Sequence, residues 1–164
     1  MKSHAKMKFT TQTRLISELE AAINGENVCV QAWLGIADVL FVGFGTEVLA
    51  PVPPKGKHPI PPYEINTNLS HWTVYKKFQV VGSSHDDPRA RAASDTLVGK
   101  TALTFLLSPD LRHLRIEFSE GIALEIIPYE KVKDDRDDFR VWDLRLTDGQ
   151  YLIVRNDLSI EEEE

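Results

Sequence analysis

Two stretches, Leu114-Arg-Ile-Glu-Phe-Ser-Glu-Gly121 and Trp142-Asp-Leu-Arg-Leu-Thr-Asp-Gly149, alternate apolar and polar residues and close on glycine. Successive side chains of a strand point to opposite faces, so this alternation describes strands with one greasy and one wet side. Between them Ile122, Leu124 and Ile126 continue the same period, and Asp148-Gly149 is a hairpin signal leading into Tyr151 to Val154. The C-terminal half therefore reads as an antiparallel meander.

The first half carries a related pattern. At an offset of 74 residues, Ile23-Asn24-Gly25 falls on Leu97-Val98-Gly99, and Leu40, Val42 and Phe44 fall on Leu114, Ile116 and Phe118. At an offset of 70, His71-Trp72-Thr73-Val74 falls on Val141-Trp142-Asp143-Leu144. Ordered matches at a nearly constant spacing predict an internal repeat.

Each half opens with a helical pattern. Leu15, Ile16, Leu19, Ala22 and Ile23 recur on one helical face, with Thr11 or Thr13 as cap and Asn24-Gly25 as stop. Pro88 suits a first turn, and Ala90, Ala93 and Leu97 form a thin stripe before Gly99 whose small residues admit close approach to a sheet. Strands over 27–34, 39–44, 100–107 and 111–118 follow, with turns at Gly35-Ile36-Ala37-Asp38 and Ser108-Pro109-Asp110. The expected fold class is α+β: two similar helix-plus-antiparallel-sheet halves, one sheet per half, packed into one core as a tandem duplication. Units of this size bury too little alone, and pairing covers both apolar faces.

Two segments interrupt this scheme, at places that read as equivalent because each precedes a matched tryptophan. Ala50 to Tyr63 holds six of the nine prolines and should be stiff and extended. Glu130 to Asp138 is densely charged and should be solvated. The expected organisation is a flexible N-terminus over 1–10, a first repeat over 11–84, a second over 85–157, and an acidic, solubilising tail over 158–164.

Composition excludes several roles. A net charge of -6 disfavours broad attraction to phosphates, so nucleic acid is not an expected partner. The basic start Met1 to Arg14 is not followed by an apolar run, and no stretch has membrane-spanning length, so neither a signal, an anchor nor a membrane role is expected and the cytoplasm is the expected address. The single cysteine, Cys29, cannot close an intramolecular disulfide and sits in an apolar run, which predicts a buried, inert thiol.

Pro51-Val-Pro-Pro54 and Pro59-Ile-Pro-Pro62 could serve as a docking peptide for an aromatic groove, although a rigid loop between strands is the plainer and favoured account, because such short proline spacings arise often. Asp134, Asp135, Asp137 and Asp138 offer carboxylates to a basic partner or cation, but the interleaved Lys133 and Arg136 fit a solvated surface and no calcium-loop spacing is present. The candidate partner-binding residues are thus Pro53, Pro54, Pro61, Pro62, Asp134, Asp135, Asp137 and Asp138. His4, His58, His71, His85 and His113 lack metal-site spacing, and His85-Asp86-Asp87 fits a turn entering a helix. No nucleophile elbow, phosphate loop or dinucleotide fingerprint occurs, so no catalytic residue, metal or cofactor is expected. Trp72 and Trp142 read as core anchors.

The stretches Leu114 to Gly121, Ala123 to Ile126 and Trp142 to Gly149 resemble small bacterial β-rich proteins of uncharacterised function, some similar to the immunity proteins of bacterial toxin systems. The resemblance covers about the last 60 residues. It implies a non-enzymatic cytoplasmic protein that works by binding another protein, and the acidic charge suits a basic partner. The alternatives are a small-molecule binder or enzyme with a pocket between the halves, and a homodimer formed through an exposed strand edge.

Overall fold

A computed structural model describes residues 2–45, 61–85, 87–129, 139–157 and 159–164, with the side chains of 2–10 excepted. Among these residues two α-helices, α1 (Lys2–Ala22) and α2 (Ala90–Leu97), and two single 3-10 turns, Ile36–Asp38 and Ser119–Gly121, accompany eleven strands. These are β1 (Cys29–Leu34), β2 (Leu40–Phe44), β3 (Tyr63–Asn66), β4 (Ser70–Lys76), β5 (Gln79–Ser83), β6 (Ala102–Leu107), β7 (Leu114–Phe118), β8 (Ile122–Pro128), β9 (Arg140–Arg145), β10 (Tyr151–Arg155) and β11 (Ile160–Glu163). Among the described residues the strands pair antiparallel throughout and make two sheets. Sheet I has the order β1-β2-β3-β9-β10-β11, and sheet II the order β5-β4-β8-β7-β6. The α+β class expected from the sequence is the class observed.

The helix stops follow from local chemistry. Gly25 adopts φ +81° just beyond α1, a conformation that costs glycine little. Asn27 Nδ2 then donates to the carbonyls of Ala21 and Ala22 at 2.9 and 3.0 Å, which the helix end leaves without internal partners. α2 ends in the same way at Gly99, φ +85°. Asp87 accepts from the Arg89 N–H at 2.9 Å at its start, and Ala93 lies where a Cβ on Gly82 would come within 2.5 Å, the close approach that small residues permit.

The sheets are not segregated by half. β1, β2 and β3 accept the β9–β10 hairpin, and β6, β7 and β8 accept the β4–β5 hairpin, so each sheet draws strands from both parts of the chain. This corrects the expectation of one sheet per half. The physical reason is that a hairpin buries its apolar side equally well on either meander, and alternation along a strand cannot name the partner.

Registers correspond strand by strand. Val42, Ile65 and Leu144 are neighbours across sheet I, as Ile116, Leu124 and Val74 are across sheet II. An irregularity lies between Cys29 and Gln31 in the β1–β2 pairing and between Ala102 and Thr104 in the β6–β7 pairing. Where the two sheets meet, Cys29 N–H donates to the Lys100 carbonyl at 2.8 Å and Ala102 N–H to the Asn27 carbonyl at 2.9 Å. Within each sheet the flanking residues also correspond: Gly45 N–H donates to the Val28 carbonyl beside β1 and β2 at 3.1 Å, and Ser119 N–H to the Thr101 carbonyl beside β6 and β7 at 2.8 Å.

The matched tryptophans complete the arrangement. Trp72 Nε1–H donates to the Asp38 carbonyl at 2.7 Å, in the β1–β2 turn of the opposite sheet. Trp142 Nε1–H donates to the Leu111 carbonyl at 3.0 Å, in the β6–β7 turn of its opposite sheet. Both rings are fully buried, as core anchors should be, among Leu15, Leu19, Phe44 and Leu97 in one apolar cluster fed by both helices and both sheets.

Other expectations change. α1 begins at Lys2, so Thr11 and Thr13 lie inside the helix rather than at its cap, and residues expected as a flexible N-terminus belong to it. β3 and β5 went unrecognised in the sequence because the four residues Tyr63–Asn66 carry too few alternations and Gln79–Ser83, with Val80, Val81 and Gly82 in succession, does not alternate cleanly. Because β3 intervenes, the proline-rich segment falls between β2 and β3 and the charged one between β8 and β9, so the two are not equivalent. The C-terminal glutamates pair as β11, with Glu161 opposite Ile153 and Glu163 opposite Tyr151.

Candidate functional site

The β4–β5 hairpin turns on Lys77 and Phe78, both left-handed at φ 49° and 69°. Consecutive positive φ values match the twist of the flanking strands, a role usually given to asparagine and glycine. Here a bulky ring occupies the second position, where it is strained, and Phe78 stands 93% exposed at the hairpin tip.

A groove of about 500 Å³ opens behind this tip. Lys76 and Lys77 line one side, and Thr96 of α2, Lys100 and the turn Glu120-Gly121-Ile122 line the other. The walls are tied where Lys77 N–H donates to the Gly121 carbonyl at 2.9 Å. Gly121 sits at φ +72°, and a Cβ there would press on Lys77 Cγ at 3.3 Å. Lys100 Nζ pairs with Glu120 at 3.2 Å, while Lys76 and Lys77 extend from the exposed hairpin end. Three ammonium groups against one carboxylate make this groove locally basic on an acidic protein. Such a surface attracts carboxylate or phosphate oxygens.

Three further clusters were not legible in the sequence. His71, at the start of β4, and His85, in the turn after β5, lie with ring centroids 4.5 Å apart, and Tyr129 joins them at 4.5 and 5.1 Å. Burial, then the charge of Asp38, raises the Tyr129 phenol above its usual range. Among the described residues no group of three His, Cys, Asp or Glu side chains converges as metal ligands would.

On the outer face of sheet I, Asp143 is 3% exposed and accepts from Asn66 Nδ2 at 3.1 Å and Asn68 Nδ2 at 2.6 Å. Burial outweighs these two donors and pushes its carboxyl up to about 6. The Asn66 Oδ1 atom is buried with no partner among the described residues. Asn66 pairs with Phe41 in the sheet, and Phe41 stacks on Trp33 with centroids 3.9 Å apart. On the outer face of sheet II, Arg115 reaches Glu117 at 3.5 Å and Glu125 at 3.6 Å and covers the Tyr75 ring.

Of the residues singled out in the sequence, Pro53, Pro54, Asp134, Asp135, Asp137 and Asp138 lie outside the described residues. Pro61 is buried and Pro62 half-buried, against β2 and the glycine that follows it. Their rings occupy the space a Cβ would need at Gly43 and at Gly45, in both cases within 2.5 Å. Cys29 is the buried thiol that the sequence suggested, with desolvation pushing it up to about 12. The groove draws on residues about 20 to 45 positions apart, which is why no motif announced it. Its one local signal is the pair Lys77-Phe78, turn residues without glycine or asparagine between two alternating runs. No helix among the described residues is long and apolar enough to cross a membrane. No protein family, curated protein or solved structure matches the chain.

Proposed function

We propose that this chain is a non-enzymatic protein-binding module whose contact point is Phe78 together with the lysine groove behind it. The observation carrying this reading is the exposure of a strained phenylalanine: φ 69° at a ring 93% open to water. The left-handed conformation costs a non-glycine residue about 1–2 kcal/mol, and strain of this kind concentrates at functional positions. Burying the ring in a partner removes its apolar area from water, and aromatic anchors of this type dominate interface energetics. Lys76, Lys77 and Lys100 set the chemistry around the anchor, so the complementary patch is an apolar pocket edged by carboxylates. The net charge of -6 favours approach by a partner of opposite overall charge. Together with the resemblance of the last 60 or so residues to immunity-like proteins, this supports a cytoplasmic role in binding a bacterial protein. The matched registers of the two sheets support descent from one duplicated unit.

Affinity purification of the tagged chain from its own cells, compared with Phe78→Asp, Phe78→Gly and the exposed control Arg91→Ala, tests this reading. A protein recovered with the parent chain and with Arg91→Ala, but with neither Phe78 variant, is the expected result. Phe78→Gly keeps the fold because glycine tolerates the left-handed turn, so its loss of partner separates binding from misfolding. Equal recovery with all four chains overturns the reading.

The groove itself favours a second reading, a small anionic ligand held between the two parts of the chain, since Lys76 and Lys77 come from one part and Thr96, Lys100 and Glu120 from the other. Thermal-shift screening against phosphates and polycarboxylates decides it, because a ligand of the native state raises the melting temperature. The shift should vanish in Lys76→Ala/Lys77→Ala.

A further inference from the structure

Four strands end the two sheets, and three of them carry protection against pairing with another chain. β11 presents Glu161, Glu162 and Glu163, which pair with Arg155, Arg14 and Arg140. β5 has α2 laid against it, with Ala93 over Gly82, and its Ser83 N–H is taken by Asp87 at 3.1 Å. β1 also packs against α2, and none of its residues is exposed.

β6 has none of these devices. Its free side is bonded only at Ala102, which donates to Asn27 and accepts from Gly25 at 2.9 and 3.0 Å. From Leu103 to Leu107 no described main-chain group pairs with that side. The strand reads Ala-Leu-Thr-Phe-Leu-Leu without a charge, and Leu103 and Leu106 are 49% and 65% exposed.

We propose that β6 pairs with β6 of a second copy, antiparallel about a two-fold axis through Phe105, joining two five-stranded sheets into one of ten. The neighbouring charges, three strand spacings apart across the seam, favour this register over its two alternatives. Thr104 lies beside Glu117 and Leu106 beside Arg115 on the outer face. Side chains directly opposite in an antiparallel pair share a face, so Thr104 can stand opposite Thr104, Leu106 opposite Leu106, or each opposite the other. The first choice lines up Glu117 with Glu117 across the seam, and the second lines up Arg115 with Arg115. The third makes both rows run Glu117, Thr104, Leu106, Arg115, bracketing the apolar centre with opposite charges. In these two rows neither Glu117 nor Arg115 is aligned with its own copy. A two-fold contact of this kind is closed, so it ends at a dimer.

Sedimentation of the full chain should show a dimer, and Leu106→Lys should be monomeric with an unchanged circular dichroism spectrum and melting profile at equal low concentration. Register is read by cross-linking: mixing the single variants Thr104→Cys and Leu106→Cys should yield the mixed disulfide-linked dimer, whereas neither variant alone should link to itself. A monomeric parent chain, a dimer that survives Leu106→Lys, or self-linking of Thr104→Cys overturns the proposal.

Discussion

Phe44 and Phe118 face one another across the core, their rings stacked with centroids 6.1 Å apart and planes 15° from parallel. They occupy corresponding places at the ends of β2 and β7, one in each sheet, beside the main-chain bonds by which Gly45 and Ser119 extend the β1–β2 and β6–β7 pairings. Truncating either to alanine should cost about 3–5 kcal/mol in chemical denaturation, because a buried phenyl leaves a cavity. The double variant should cost less than the two single losses combined, with a coupling of about 0.5–1.5 kcal/mol. Strict additivity would mean that the two sheets do not communicate through this contact.

The tryptophan ties should differ in strength. Trp142 Nε1–H meets the Leu111 carbonyl in a fully buried setting, whereas the Trp72 bond to the Asp38 carbonyl is partly solvated. Substitution by phenylalanine orphans the acceptor in both cases at about 1–3 kcal/mol, and an acceptor cut off from water suffers more. Trp142→Phe should therefore lower the denaturation midpoint more than Trp72→Phe, and the reverse order would contradict this assignment of burial.

Asp143 should make stability fall as pH rises through mildly acidic values. Its carboxyl is pushed from 3.8 up to about 6 by burial, so between those values the folded chain keeps a proton that the unfolded chain has released. Stability declines across that window and the loss is complete above it, amounting to roughly 3 kcal/mol. Below it, Asp87 and Asp110, both held down to about 2 by hydrogen bonds, from Arg89 and from Ser108 respectively, act in the opposite sense. Asp143→Asn still accepts from Asn68, and a turn of the Asn66 amide by half a rotation lets the new N–H donate to the Asn66 Oδ1 atom. The variant should be more stable than the parent above pH 6 and should lose the slope that the parent shows between about 4 and 6 in urea titrations at a series of pH values; an unchanged slope would remove Asp143 as its source.

Contact between α2 and β5 is set by Gly82. A methyl group there would lie 2.5 Å from Ala93 Cβ and 2.8 Å from the Arg89 carbonyl oxygen. Gly82→Ala should cost about 1–3 kcal/mol by overpacking. Ala93→Gly in the same chain should recover part of that loss, though not all, because the Arg89 carbonyl still obstructs. Full tolerance of Gly82→Ala in thermal unfolding would show that α2 can move away freely.

Much of this molecule was determined by the sequence alone. Alternation at Leu40, Val42 and Phe44 and at Leu114, Ile116 and Phe118 names the inward faces of β2 and β7, and Asn24-Gly25 and Gly99 mark where the helices stop, because these are local consequences of side-chain period and backbone sterics. Only the tertiary structure decided that the Trp72 hairpin joins sheet II and the Trp142 hairpin sheet I, since either meander offers the same alternating edge and the choice rests on contacts far apart in the chain. It also gathered Lys76, Lys77 and Lys100 into one groove, left the edge of β6 from Leu103 to Leu107 without a main-chain partner among the described residues, and buried Asp143 on what alternation alone would read as a wet face. Burial, charge and an unpaired edge depend on which surfaces meet, and a periodic pattern carries no record of that.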